Sequence, residues 1–187
     1  MGLGLAASCG FRVFAPLLVL SIASRSELVS LSDQMAWLGS TPVIIGLSSA
    51  CLFEIIAYKI PWIDHALDTI ASPAAVVAGT LAAASQLGDL GPAMTWSTAA
   101  IAGGGAAAAS QTMNVSARGV STITTGGIFN PFISVVQTIT SVVLSWLAIV
   151  LPMVVGVLVL IVLLCVAILF IKRRSARKNQ AIALSLS

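Results

Sequence analysis

The chain has 187 residues, 58% of them hydrophobic and only 8% charged, with a mean hydropathy of +1.07. Soluble domains carry about 25% charged residues, so this chain cannot coat a soluble surface and most of its surface must face lipid. The length suits one compact helical domain with no separate soluble enzyme domain. The net charge of +3 comes from one terminal cluster, Lys172, Arg173, Arg174, Arg177 and Lys178, and does not point to nucleic acid.

Six apolar segments follow in order, 2–23, 42–60, 73–88, 92–113, 131–150 and 152–171. A membrane span needs about 20 residues. The first segment contains a single charge, Arg12. A guanidinium at mid-bilayer costs between ~2.5 and more than ~10 kcal/mol, so the rest of the protein must supply a partner or a polar cavity. Gly10 and Pro16 permit a broken helix there, which frees backbone groups to line a site. No Lys or Arg precedes the apolar run, and Arg12 and Pro16 interrupt it, so it reads as a retained span rather than a signal peptide. Residues 30–39 place Leu31, Met35 and Leu38 on one face with Trp37 nearby, the pattern of a short interfacial helix.

Thr41-Pro42, Ser72-Pro73 and Asn130-Pro131 each put a capping side chain before a proline, predicting helix starts. Gly103-Gly104-Gly105 and Ala106 to Ala109 predict close helix packing rather than a phosphate loop. Residues 110–130 are polar and predict an ordinary loop, with a re-entrant segment as the alternative. Pro152 divides the last two segments into a tight hairpin.

The expected fold is therefore all-α: a polytopic transmembrane bundle of about six spans. Residues 1–171 form the single transmembrane domain and 172–187 a basic cytoplasmic tail. Basic residues at the end of a span stay in the cytoplasm, and an even span count puts both termini there. Lys59 and Arg118 then fall on cytoplasmic connections. Ala7-Ser8 with Val13 and Ala15 echoes Ala109-Ser110 with Val115 and Ala117, and Pro42 echoes Pro131. Three spans per half would make the halves inverted repeats, as in many transporters.

The densest polar cluster is Glu54, Tyr58, Lys59, Asp64, His65 and Asp68. Glu54 and Tyr58 are four residues apart and share a helix face. Pro61 ends that helix, and Asp64 and Asp68 share a face of a next, short helix. Two carboxylates and an imidazole could bind a cation, relay protons or contact a solute; a capping role for Asp64 and a solvated Asp68 are the plainer readings. Arg12 reads equally as a solute contact or as the partner of a structural ion pair with Glu54 or Asp64. Asn114, Arg118 and Asn130 complete the candidates for a solute or ion path. A single histidine, and three cysteines without a CxxC, suggest neither metal nor disulfides. No nucleophile–base triad, nucleotide motif or haem motif is present, so neither a cofactor nor an enzymatic activity is expected.

The run Gly10-Phe11-Arg12-Val13-Phe14-Ala15-Pro16, together with Glu54, Lys59-Ile60-Pro61-Trp62-Ile63-Asp64, Leu67-Asp68-Thr69-Ile70 and Pro73 to Gly79, resembles the bacterial membrane family known as domain of unknown function 4126. Thr125-Gly126-Gly127 and Asn130-Pro131 also fit, and the resemblance covers roughly residues 1–155. It implies a bacterial inner-membrane protein but no activity. It also implies an acidic residue near the position of Gln137, where this chain has a neutral amide, which speaks against a two-acid mechanism. The function expected is a transport or permeation path for a small solute or ion near mid-membrane. The alternative is a scaffold, lipid-handling or assembly subunit whose buried charges are structural. Partners would be membrane lipids and the solute, with no nucleic acid; a homo-oligomer is left open.

Overall fold

The computed structural model describes residues 1–58, 61–88, 90–165, 168 and 172, with the side chains of 61–66 outside the description. Lys59, and Asp64 and His65 as side chains, therefore lie outside the described residues, as does the basic tail beyond Lys172. The described secondary structure is helical throughout: α1 (Gly2–Cys9), α2 (Phe14–Arg25), a 3-10 turn (Asp33–Gly39), α3 (Thr41–Ala57), α4 (Pro61–Ala84), α5 (Pro92–Thr98), a π turn (Ala99–Gly104), α6 (Gly105–Thr125), α7 (Asn130–Val150) and α8 (Pro152–Cys165). The segments Leu67–Ala84 and Asn130–Val150 are each long and apolar enough to cross a membrane, with mean hydropathies of 1.4 and 2.0. The 3-10 turn and α3, bent by 63°, pass the same test as a pair. These helices fit a membrane protein.

Burial follows the pattern lipid imposes. Phe53, Ile101, Phe132, Ile139, Trp146 and Met153 are exposed, whereas Ser8, Arg12, Gln111, Asn114, Ser141 and Ser145 are buried. Between the helices the core is mostly alanine and glycine, because lipid tails do not drive helices together and close backbone packing must. The π turn packs chiefly on α4. A Cβ on Gly79 would lie 2.9 Å from Gly103 O, and one on Gly103 would lie 2.6 Å from Gly79 O, so these backbones touch. The small-residue reading of this stretch describes its packing.

Several local expectations change. The first segment is two helices, broken over residues 10–13. Pro73 lies inside α4 rather than at its start, and Ser72 Oγ donates back to Asp68 O (2.9 Å) instead of capping. A proline after three helical turns costs one hydrogen bond, and the serine's own bond lies in the same turn. Asp64 and Asp68 thus belong to one long helix, not a short one. Neither Thr41 nor Asn130 makes a side-chain cap: the residues preceding their helices are Ser40 and Phe129, and neither helix start carries a side-chain cap bond. Residues 110–125 are not a loop. They continue α6 to Gly126, whose φ of +63° ends the helix in the left-handed region that glycine enters without penalty. Arg118 is accordingly buried within α6, not on a connection. The residues 30–39 do fold onto the bundle, with Met35 and Leu38 buried and Trp37 half exposed.

Candidate functional site

A break inside an apolar segment leaves carbonyls at the end of α1 and N–H groups at the start of α2 without helical partners. Away from water each would cost several kcal/mol, about the price of a lost hydrogen bond in hydrocarbon. Three neighbouring helices supply the partners. Asn114 Nδ2 on α6 donates to Gly10 O (2.7 Å), and Ser141 Oγ on α7 donates to Ser8 O (3.0 Å). Ser145 Oγ donates to Ser8 Oγ (2.8 Å), which itself donates to Leu5 O (2.7 Å). On the other side, the Glu54 carboxylate of α3 accepts from Val13 N (3.0 Å) through Oε1 and from Phe14 N (3.2 Å) through Oε2. A carboxylate at a helix N-terminus is favoured both by these donors and by the helix dipole. Gly10 is needed because the break runs against α6: a Cβ there would meet Ala107 O, Ser110 Cβ and Gln111 N.

Arg12 extends from the break into the bundle and is 1% exposed. Its Nε donates to Thr138 Oγ1 (2.9 Å), and Nη2 donates to Ser134 O (3.0 Å) and Ser134 Oγ, all on α7. Its guanidinium carbon also lies 4.1 Å from the centroid of the Tyr58 ring. Arg118 of α6 approaches the same ring at 4.2 Å. Two cations therefore share one aromatic, a contact worth about 2 kcal/mol or more where water is excluded. Arg118 Nε (3.2 Å) and Nη2 (2.5 Å) both donate to Gln137 Oε1 on α7, and Nη1 donates to Asp68 Oδ1 (3.2 Å) on α4. The Tyr58 hydroxyl donates to that same Asp68 oxygen (3.3 Å).

Five of the residues singled out in the sequence, Arg12, Glu54, Tyr58, Asp68 and Arg118, thus form one connected centre contributed by α3, α4, α6 and the break. Asn114 belongs to it through Gly10. Asn130 sits farther off, at the start of α7, donating through Nδ2 to Thr122 Oγ1 (3.3 Å). Of the α7 residues, Asn130 and Gln137 were singled out in the sequence, but not Ser134 or Thr138. Asn130, Ser134, Gln137, Ser141, Ser145 and Ala148 are its buried face. Their spacing of three, four, four and three after the first step of four is a helical stripe of small and polar residues in an otherwise apolar run. That periodicity is visible in the sequence and could have found Ser134.

Two openings border the centre: Glu54 and Tyr58 line an apolar cavity of about 400 Å³ with Phe14, Phe53 and Leu67, and Asp68 and Arg118 face a second one. Asp68, Thr69, Ser72, Val115, Arg118, Gly119, Thr122 and Ile123 line a groove of about 530 Å³ between α4 and α6. The Asp68 side chain is 16% exposed there and that of Arg118 is 6%. Arg118 and Asp68 each lie seven residues from the end of their helix, about 10 Å at the helical rise. Neither a curated protein nor a solved structure matches the chain. Residues 1–173 match the family model described as "Domain of unknown function (DUF4126)", and the chain belongs to that family.

Proposed function

We propose that this chain moves, or forms a path for, a small solute or ion across a bacterial inner membrane. One observation carries the reading: a helix broken at a buried arginine, held by side chains from three other helices and joined through Tyr58 to an ion pair that faces a groove. Transporter folds use broken helices because their ends offer oriented backbone groups where no water is available. In this reading the chain crosses six times, as α1–α2, α3, α4, α5–α6, α7 and α8, with both termini cytoplasmic. The echoing segments of α1 and α6, which touch at Gly10 and Ser110, are consistent with inverted halves. No chemical step is part of the reading. Reporter fusions at residue 30 and after Lys178 should report opposite sides of the membrane; the same side for both would remove the six-crossing topology.

The purified protein should catalyse flux of at least one member of a panel of ions and small solutes into proteoliposomes. Arg118→Gln should abolish that flux in protein that remains folded. A second reading, a scaffold with structural charges, draws support from the dryness of Arg12 and Glu54 at 1% and 5% exposure. It predicts folded protein inert toward the whole panel, and that outcome would replace transport.

A further inference from the structure

The centre is built from donors. Arg12, Arg118 and the Tyr58 hydroxyl all point N–H or O–H groups into it, while both of its described carboxylates are already engaged. Glu54 gives each oxygen to a backbone N–H, and Asp68 Oδ1 receives Arg118 and Tyr58 together. One more donor has no acceptor. Gln137 Oε1 receives two N–H groups of Arg118, which fixes the orientation of the amide, since turning it over would set donor against donor. Its Nε2, buried, then has no hydrogen-bond partner. A buried donor left unmade calls for an acceptor.

From this geometry we infer that the site takes a small monovalent anion of carboxylate type, which docks on Arg118 in exchange for the Asp68 carboxylate. Asp68 occupies the position of the ligand. It presents one carboxylate oxygen to a guanidinium and a phenol, from the wall of an open groove, and is the more exposed member of its pair. A rotation of its side chain into the groove would release both donors without disturbing the break or Glu54. The charges favour a single negative charge. The Asp68 carboxylate that leaves carries one negative charge, so the ligand that replaces it carries one as well. Guanidinium suits a planar carboxylate better than a spherical ion, because two of its N–H groups can be met at once. This identification of the solute class rests on the transport reading, but its test does not require flux.

The test is binding of labelled acetate to the full-length protein in detergent, with thermal unfolding followed beside it. Asp68→Asn removes the competing charge and keeps the shape. It should bind acetate at least about tenfold more tightly than wild type, and its melting temperature should rise with acetate but not with an equal concentration of a chloride salt. Adding Gln137→Glu to Asp68→Asn returns a carboxylate to Arg118 from the other side. That double variant should fold without acetate and lose the tight binding, which keeps the test decisive even if Asp68→Asn alone is too unstable to purify without ligand. Acetate affinity unchanged by Asp68→Asn, or unchanged on adding Gln137→Glu, would overturn the assignment. Tight, Asp68-gated binding without flux would leave the anion site standing and remove transport; flux of cations with no acetate binding would do the reverse.

Discussion

Arg12 and Arg118 approach one tyrosine ring at nearly equal distance, yet they are held in different ways. Arg12 leaves a break in the chain and is met by hydroxyls and a carbonyl of α7, with the Glu54 carboxylate turned to the backbone next to it. Arg118 leaves a continuous helix and is met by an amide and by a carboxylate that borders a groove. The first arrangement solves a problem of the backbone: it satisfies groups that a broken helix would leave bare. The second solves none, since α6 is intact on both sides of Arg118. In the transport reading proposed above, the arginine beside the groove is the one assigned to the solute.

That contrast can be broken most severely at Glu54. Glu54→Gln keeps the size but removes the charge and one of the two acceptors for the start of α2. It should cost about 2–4 kcal/mol, because one buried N–H of the break is left without an acceptor and the other loses a charge-assisted bond; equilibrium unfolding in detergent reads the loss. A cost below about 1 kcal/mol, the level of an exposed pair, would mean that the Glu54 charge is not holding the break. If flux is found in wild type, a Glu54→Gln variant of lowered melting temperature and unchanged flux would assign the residue to structure alone.

Gly10→Ala comes next. The added methyl meets the backbone of α6 at the break, and overpacking of this kind costs about 1–3 kcal/mol. Gly105→Ala, where no atom lies within 4 Å of the new methyl, is the matched control and should be neutral or slightly stabilising. Equal melting temperatures for the two variants would refute the close approach of the break to α6.

Asp68→Asn should cost less than Glu54→Gln, about 1–2 kcal/mol, because Asp68 is partly exposed and the amide can still accept from Arg118 and Tyr58. Reversal of that order would place the structural burden on the groove side and undo the comparison of the two arginines. The smallest effect belongs to Ser145→Ala, which removes the contacts of that hydroxyl with Ser8 Oγ and Ser141 O and should cost about 1 kcal/mol. Combined with Ser141→Ala it should cost more than the sum of the single variants if the two hydroxyls hold the end of α1 as a unit; strict additivity would show that they act separately.

Composition pointed to a membrane protein, because so few charges cannot cover a soluble surface, and apolar runs near span length pointed to helices. Arg12 was legible for a similar reason: a lone guanidinium in an apolar run is expensive enough to demand partners. The positions of Glu54, Tyr58 and Asp68 as neighbours were legible from their short spacing in sequence. Which groups meet Arg12 was not. Ser134 and Thr138 lie more than 120 residues away, and a serine in an apolar helix has the same local signature whether it bonds its own backbone or a distant arginine. Sequence also left residues 110–130 as a loop, because polar residues read locally as solvent-facing. Only the packing of α6 against the break, α4 and α7 turned Gln111, Asn114 and Arg118 inward, where the freed carbonyl of Gly10, the amide of Gln137 and the carboxylate of Asp68 replace the water that a loop would have had. The turn of Glu54 toward two backbone N–H groups was likewise a tertiary decision: the break creates those donors, and no pattern in the residues around Glu54 announces them.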